Sequence, residues 1–236
     1  MPSNRILASI LDKISGPMAL AFSHQAEDAA VLHLVLQSFP EFASGGLEGS
    51  GRTLEVFTLD TEKLFPETLA YHEEVERFFK VPIKKYRPDG GEVKKLEEEL
   101  GDEWGMRGSL EKRHLCCKVR KVDVLGKVLA GKSAWITGLR AAQSVTRTGL
   151  QVLEYDEQNG LIKINPLAAW SDDDLAAYIK EHQIPLNPLY SEGFKSIGCA
   201  PCTRAVKEGE DIRAGRWWWE NPDHKECGLH NRRKTG

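Results

Sequence analysis

Four of the five cysteines in this 236-residue chain come in two pairs, and the fifth stands alone. Cys116 and Cys117 are adjacent in "KRHLCCKVRKV", while Cys199 and Cys202 form a C-x-x-C in "SIGCAPCTR". Two thiol pairs from distant parts of a chain suit a four-thiolate centre. The C-x-x-C half is common to zinc, iron–sulfur and redox sites. The adjacent half discriminates between them. Neighbouring side chains diverge on a strand and sit about 100° apart on a helix, so both reach one centre only with an unusual local geometry. Structural zinc usually takes cysteines separated by two to four residues. The metal corners of a cubane accept thiolates from more widely splayed directions. An iron–sulfur cluster therefore fits best, with zinc and ordinary buried cysteines as the alternatives.

Cys227 is different in kind. Nothing in "DHKECGLHNRRK" supplies a second thiol at chelating distance, and Lys225, His230, Arg232 and Arg233 lie close in sequence. Positive charge lowers a thiol's pKa and raises its thiolate fraction. Gly228 keeps the approach open. A nucleophilic thiolate is the expectation, and an incidental tail cysteine the alternative. The aromatic and imidazole side chains from Trp217 to His230 argue that this tail packs onto something.

These thiols need a scaffold, and the rest of the chain supplies an ordinary one. Hydrophobic content of 41% and charged content of 28% are ordinary for a soluble globular protein. A net charge of -3 gives no global pull toward nucleic acid or anionic membrane, so anion recognition must come from local Arg and Lys. No apolar run approaches the roughly 20 residues of a membrane helix, and "MPSNRILASILDKISGP" reads as an amphipathic helix, not a signal peptide. A cytoplasmic setting is expected. There thiols stay reduced, and an odd cysteine count points to metal or catalysis before disulfides.

Strands are expected at "GPMALAF", "TLEVFTLDT", "VPIKKYRP", "SAWITGL" and "LIKI", with helices over Ala29 to Phe39, in "PETLAYHEEVERFFK", in "EVKKLEEEL" and after Ser171. Ser171 caps the last helix, with Asp173 and Asp174 in its first turn. This alternation predicts a mainly parallel sheet covered by helices. Ligands in such sheets sit beyond the carboxyl ends of the strands, which is where Ser23, Asp60 and Arg140 fall. Residues 1–184 are expected to form the α/β core, and residues 185–236, loop-rich and basic, to extend the same domain.

The set "KRHLCCKVRKV", "TGLRAAQS", "SIGCAPCTR", "RAGRWWWE" and "KECGLH" resembles the assimilatory adenylylsulfate (APS) reductases, thioredoxin-dependent enzymes of sulfate assimilation. The resemblance runs from about Leu20 to His230. It implies the adenine-nucleotide α-hydrolase-like fold, related to that of ATP pyrophosphatases, with residues 1–184 as its nucleotide-binding core and residues 185–236 as a cluster-ligand loop and mobile catalytic tail. It also implies a [4Fe–4S] cluster on Cys116, Cys117, Cys199 and Cys202. Cys227 would attack the sulfur of APS and expel AMP, leaving a cysteine S-sulfonate, from which thioredoxin releases sulfite. Arg213 and Arg216 match residues that bind the phosphosulfate; their spacing suits one face of a helical turn, and guanidinium forks fit tetrahedral oxyanions. Lys121 matches a lysine linking the cluster environment to the substrate anion. His230 would orient the thiolate or pair with the nucleotide. Electrons are expected to travel through thiols, with the cluster tuning substrate charge and position. Relatives of this kind are often homo-oligomers.

In the nucleotide half, "FSHQAED" resembles a modified phosphate loop, with Ser23 and Asp28 as the types retained. It lacks the consecutive glycines of an ATP-cleaving loop, and His24-Gln25 departs from the usual glycine before AED. "LDTEKLFPET" stands where the family usually has LDTGRLFPET, so Glu62 and Lys63 replace Gly and Arg. Gly138, Arg140 and Arg147 fit the nucleotide-binding strand end and the loop after it. A 3′-phosphoadenylylsulfate (PAPS) reductase is the nearest rival and lacks the four-cysteine set. A tRNA-thiolating enzyme would need an ATP loop and a basic nucleic-acid face, neither of which is present. A zinc-stabilised binding module is the non-enzyme alternative.

Overall fold

Apolar residues run without interruption through "MALA" and "AWI", so the sheet has two buried faces at its centre. In the computed structural model, residues 2–44, 52–101, 104–143, 149–221 and 229 are described, with backbone alone at 2–5 and 44. Strand β1 (Pro17–Ala21) sends Met18 and Leu20 to one face and Ala19 to the other. Strands β2 (Thr53–Leu59) and β4 (Ala134–Ile136) do the same: Val56, Ala134 and Ile136 join the first core, Phe57 and Trp135 the second. Period-2 burial on both faces is what a helix-covered parallel sheet demands.

The sheet has six strands in the order β3-β2-β1-β4-β6-β5, with β3 at Lys84–Tyr86, β5 at Leu153–Asp156 and β6 at Leu161–Ile164. All pairings are parallel except β5 with β6. Helices α1 (Pro2–Leu11), α2 (Ala26–Ser38), α3 (Pro66–Phe79) and α7 (Asp172–Glu181) contribute to the first core. Ser171 caps α7 with a capping box closed by Asp174, as its sequence predicts. Strand order reverses between β1 and β4, so the crevice beyond their carboxyl ends is the topological switch point where such sheets bind ligands.

The long return from β3 to β4 runs through α4 (Gly90–Leu100), α5 (Leu110–Cys117) and α6 (Asp123–Leu129). Between α5 and α6 the chain makes a π-helical turn, Lys118–Val122. A π-turn spreads more residues over each turn and recurs at functional sites. It follows directly on the adjacent cysteines and sets the direction of Arg120 and Lys121. The sequence reading anticipated an unusual local geometry here, but not this element, nor the antiparallel β5. Beyond Glu181, the described residues form 3-10 turns (Pro188–Glu192, Ala200–Cys202) and one isolated bridge, Thr203 to Arg216. Among the described residues, no helix is long and apolar enough to cross a membrane.

Candidate active site

The turn after β1 is built by its own side chains. The amide and hydroxyl of Ser23 both donate to Asp28 Oδ2, at 2.7 and 2.6 Å. Burial pushes the Asp28 carboxyl up to about 6, even though these hydrogen bonds oppose the rise. Gly138, after β4, packs against the same carboxylate: a β-carbon there would lie 2.5 Å from Asp28 Oδ1 and 2.9 Å from Glu27 Cβ. Only glycine lets β4 and the α2 N-terminus approach so closely.

Ser23, Asp28 and Gly138 line a crevice of about 180 Å³ at the switch point, and Lys121, Arg213 and Arg216 line it too. The structure brings these six sequence-predicted residues around one crevice. Arg213 and Arg216 sit on one turn, with the Arg216 amide donating to the Arg213 carbonyl at 2.9 Å. Leu229 also lines this crevice, packed against the second core. Cys227, His230 and Arg147 lie outside the described residues.

Asp60 and Arg140 do not reach this lining. Asp60 is buried at the end of β2, accepting from Arg87 Nε at 2.9 Å and from the Glu62 amide at 3.0 Å. It shapes the turn after the strand. Arg140 is held by Glu27 at 2.9 Å and Asp172 at 2.7 Å, and also donates to the Trp170 carbonyl. It ties the α2 N-terminus to that of α7.

The four paired cysteines line one second cavity, of about 270 Å³. Cys199 and Cys202 flank a 3-10 turn fixed by the Cys202 amide on the Cys199 carbonyl and by the Ala200 amide on the Lys63 carbonyl. The returning segment is stitched alongside, with the Trp217 amide donating to the Cys202 carbonyl at 3.1 Å. Burial raises the Cys116 thiol and pushes Cys202 up to about 12. Burial also opposes ionisation of Cys199, but Lys121, the Thr61 hydroxyl at 3.2 Å and Arg216 outweigh it and hold that thiol below its ordinary value. Among the described residues, no three His, Cys, Asp or Glu side chains close on a single-ion site. The thiols line a space instead.

Lys121, Arg216 and Trp217 line both cavities and so form the wall between them. The indole Nε1 of Trp217 is buried with no hydrogen-bond partner among the described residues. Sequence reasoning gave Trp217 only a packing role in the tail, and gave no role to Thr61, Arg120 or His24. Adjacency was the available signal for three of them: Trp217 follows Arg216, Arg120 precedes Lys121, and Thr61 follows a strand-end Asp. His24 carried no such signal. It is buried at φ 65°, with Nε2 3.0 Å from His72 Nδ1, and burial followed by the His72 charge brings it down to about 3.

Comparison with known proteins identifies the family and the fold. Residues 17–205 match the phosphoadenosine phosphosulfate reductase domain. The chain is 52% identical over 179 residues to a protein named adenosine 5'-phosphosulfate reductase from Allochromatium vinosum, covering 76% of this chain and 70% of that one. It is 42% identical over 219 residues to one of the same name from Burkholderia cepacia, covering 93% and 81%. The fold resembles that of phosphoadenylyl-sulfate reductase from Candida auris in a phosphate complex, at TM-score 0.68 and 24% identity over 86% of this chain and 90% of that one. Yeast FAD synthetase in complex with FAD follows at TM-score 0.58 and 14% identity, over 86% and 66%. The architecture is thus the adenine-nucleotide α-hydrolase-like one. With a switch-point crevice and its cationic wall in place and most of its length matched, the chain belongs to the phosphoadenosine phosphosulfate reductase family.

Proposed function

We propose that this protein reduces adenylylsulfate to sulfite and AMP in assimilatory sulfate reduction, with thioredoxin as reductant and Cys227 as nucleophile. The observation that carries the reading is the shared wall. Lys121 and Arg216 face the switch-point crevice on one side and the thiol cavity on the other. Arg213 completes a cationic end to the crevice, suited to the phosphosulfate. The relatives named for APS reduction support the same substrate.

The chemistry balances as thiol exchange. The Cys227 thiolate attacks the sulfonyl sulfur of APS, forming an S–S bond while the S–O bond to the phosphate breaks and AMP departs. One thioredoxin thiolate then attacks Cys227 Sγ and displaces sulfite. The second thioredoxin thiol resolves the mixed disulfide, returning Cys227 reduced and thioredoxin oxidised by two electrons. Arg213, Arg216 and Lys121 neutralise the sulfonyl and phosphate oxygens during attack. Leu229, docked in the crevice two residues beyond Cys227, gives the tail its anchor, since two peptide units span at most about 7 Å.

The thiol cavity suits a [4Fe–4S] cluster held by Cys116, Cys117, Cys199 and Cys202. The donor set is four soft thiols, the space exceeds a single ion, and the Trp217 N–H is a donor awaiting an acceptor. When bound, the cluster supplies fixed charge beside the substrate anion.

The test is mass spectrometry of protein mixed with APS and no reductant. One SO₃ adduct on Cys227 is expected, absent from Cys227→Ser; an unmodified wild-type protein with an intact cluster would overturn the mechanism. The family description and the Candida auris neighbour favour a second reading, with PAPS as substrate. The four-thiol cavity argues for APS, and comparing sulfite release from the two nucleotides with thioredoxin present decides between them.

A further inference from the structure

Glu62 holds a backbone conformation that its residue type disfavours. Its φ is 60°, in the left-handed region where a β-carbon is penalised and glycine is not. Such strain persists where surrounding contacts over-determine it and where it serves a site. Here the contact is with Arg120. That guanidinium is buried, 4% exposed, and donates through Nη1 to the Thr61 carbonyl at 2.8 Å and to Glu62 Oε2 at 3.1 Å. Its Nη2 donates to Glu97 Oε1 at 2.8 Å. Arg120, Glu97 and the neighbouring Lys63 all line the thiol cavity.

We infer that Glu62 is a charge-setting and positioning residue for that cavity. Two carboxylates on one guanidinium leave the Arg120 group with a net negative charge, where a glycine at position 62 would leave it neutral. Four thiolates around a [4Fe–4S] core already carry net negative charge, and further negative charge nearby disfavours adding an electron. Glu62 therefore lowers the reduction potential of the centre and keeps it out of the thiol-based electron path. The inference rests on the cluster reading proposed above.

The experiment uses full-length protein purified without oxygen, in wild-type, Glu62→Gln and Glu62→Gly forms. Iron and sulfide are counted, and the cluster is titrated with low-potential reductants under spectroscopic readout. Glu62→Gln keeps the side-chain length and the backbone strain while removing the charge. Both variants are expected to retain about four irons and to be more readily reduced, with the reduced-to-oxidised ratio at a fixed potential rising about threefold to tenfold. Glu62→Gly should also melt at a higher temperature, because only it relieves the strain. A potential unchanged in both variants, with four irons present, overturns the inference alone. A raised melting temperature in Glu62→Gly with no potential change in Glu62→Gln reduces Glu62 to a backbone oddity and also overturns it. Wild-type protein carrying zinc or no iron overturns the cluster reading and this inference together.

Discussion

The guanidinium of Arg216 lies flat against Gly198, so close that a β-carbon at position 198 would come within 2.5 Å of Arg216 Cζ. Arg216 Nη1 also donates to the Ile197 carbonyl at 3.1 Å, and the cation sits 4.6 Å from the Trp217 ring centroid. Gly198→Ala must therefore push the guanidinium off the wall between the two cavities. The expected outcome is a loss of about tenfold to a hundredfold in kcat/KM for APS, matching the removal of one charged contact to the reacting anion. Steady-state kinetics with a circular-dichroism control check this. Full activity in a folded variant would mean that Arg216 does not act from its observed position.

A buried ion pair fastens the tryptophan-rich segment to the cysteine-bearing helix. Arg113, fully buried in α5, donates through Nε and Nη2 to the two carboxylate oxygens of Glu220, at 2.9 and 2.7 Å. Its guanidinium also lies 4.7 Å from the Trp217 ring centroid. Glu220→Ala leaves a desolvated cation behind and is expected to cost about 3–5 kcal/mol of stability. The double variant Arg113→Met, Glu220→Leu should recover most of that loss, because it removes the stranded charge. Denaturant unfolding of the single and double variants measures both. Equal destabilisation by the two would show that packing, not charge, dominates here.

Gly138 faces a harder obstacle than Gly198, because the atoms it would meet include main chain. A β-carbon there lies 3.0 Å from the Asp28 amide nitrogen as well as against the Asp28 carboxylate. Gly138→Ala is expected to lose about 1–3 kcal/mol through forced separation of β4 from the α2 N-terminus. Affinity for AMP should also weaken by about tenfold or more as the crevice distorts, an effect of about 1.4 kcal/mol. Calorimetric titration reads the affinity directly. An unchanged Kd would place the nucleotide away from this strand end.

Much of this arrangement was legible in the residue pattern. Short continuous apolar runs in "MALA" and "AWI" mark strands buried on both faces, and Ser171 with Asp174 marks a helix start without tertiary help. Thiol spacing picked out the residues of the second cavity, and the resemblance picked out Lys121 and Arg216. What stayed illegible depends on contacts that sequence does not encode locally. The π-turn after Cys117 leaves no signature in "KVRKV", since its composition is that of any amphipathic helix. Asp60 and Arg140 stand at the right strand ends, yet Arg87 in one case and Glu27 with Asp172 in the other take up their charges. A strand end places a side chain near the ligand crevice; its pairing partners, which come from other elements, determine where it points.

Asp28 makes the stability of the crevice depend on pH. Its folded-state carboxyl sits near 6 against 3.8 in the unfolded chain, chiefly because burial penalises the charge. The folded protein therefore binds the proton more tightly. Its stabilising contribution is complete below about pH 4 and is lost as pH rises through 6, a difference of about 3 kcal/mol for a shift of this size. Asp28→Asn keeps an acceptor for the Ser23 amide and hydroxyl but cannot ionise. Relative to wild type, its stability should rise between pH 4 and pH 6 and level off above pH 7. Unfolding curves for both proteins across that range isolate this one group, since the other titrating groups cancel in the difference. Parallel profiles would show that Asp28 ionises as readily in the folded crevice as in the open chain, and that the Ser23 hydrogen bonds fully offset its burial.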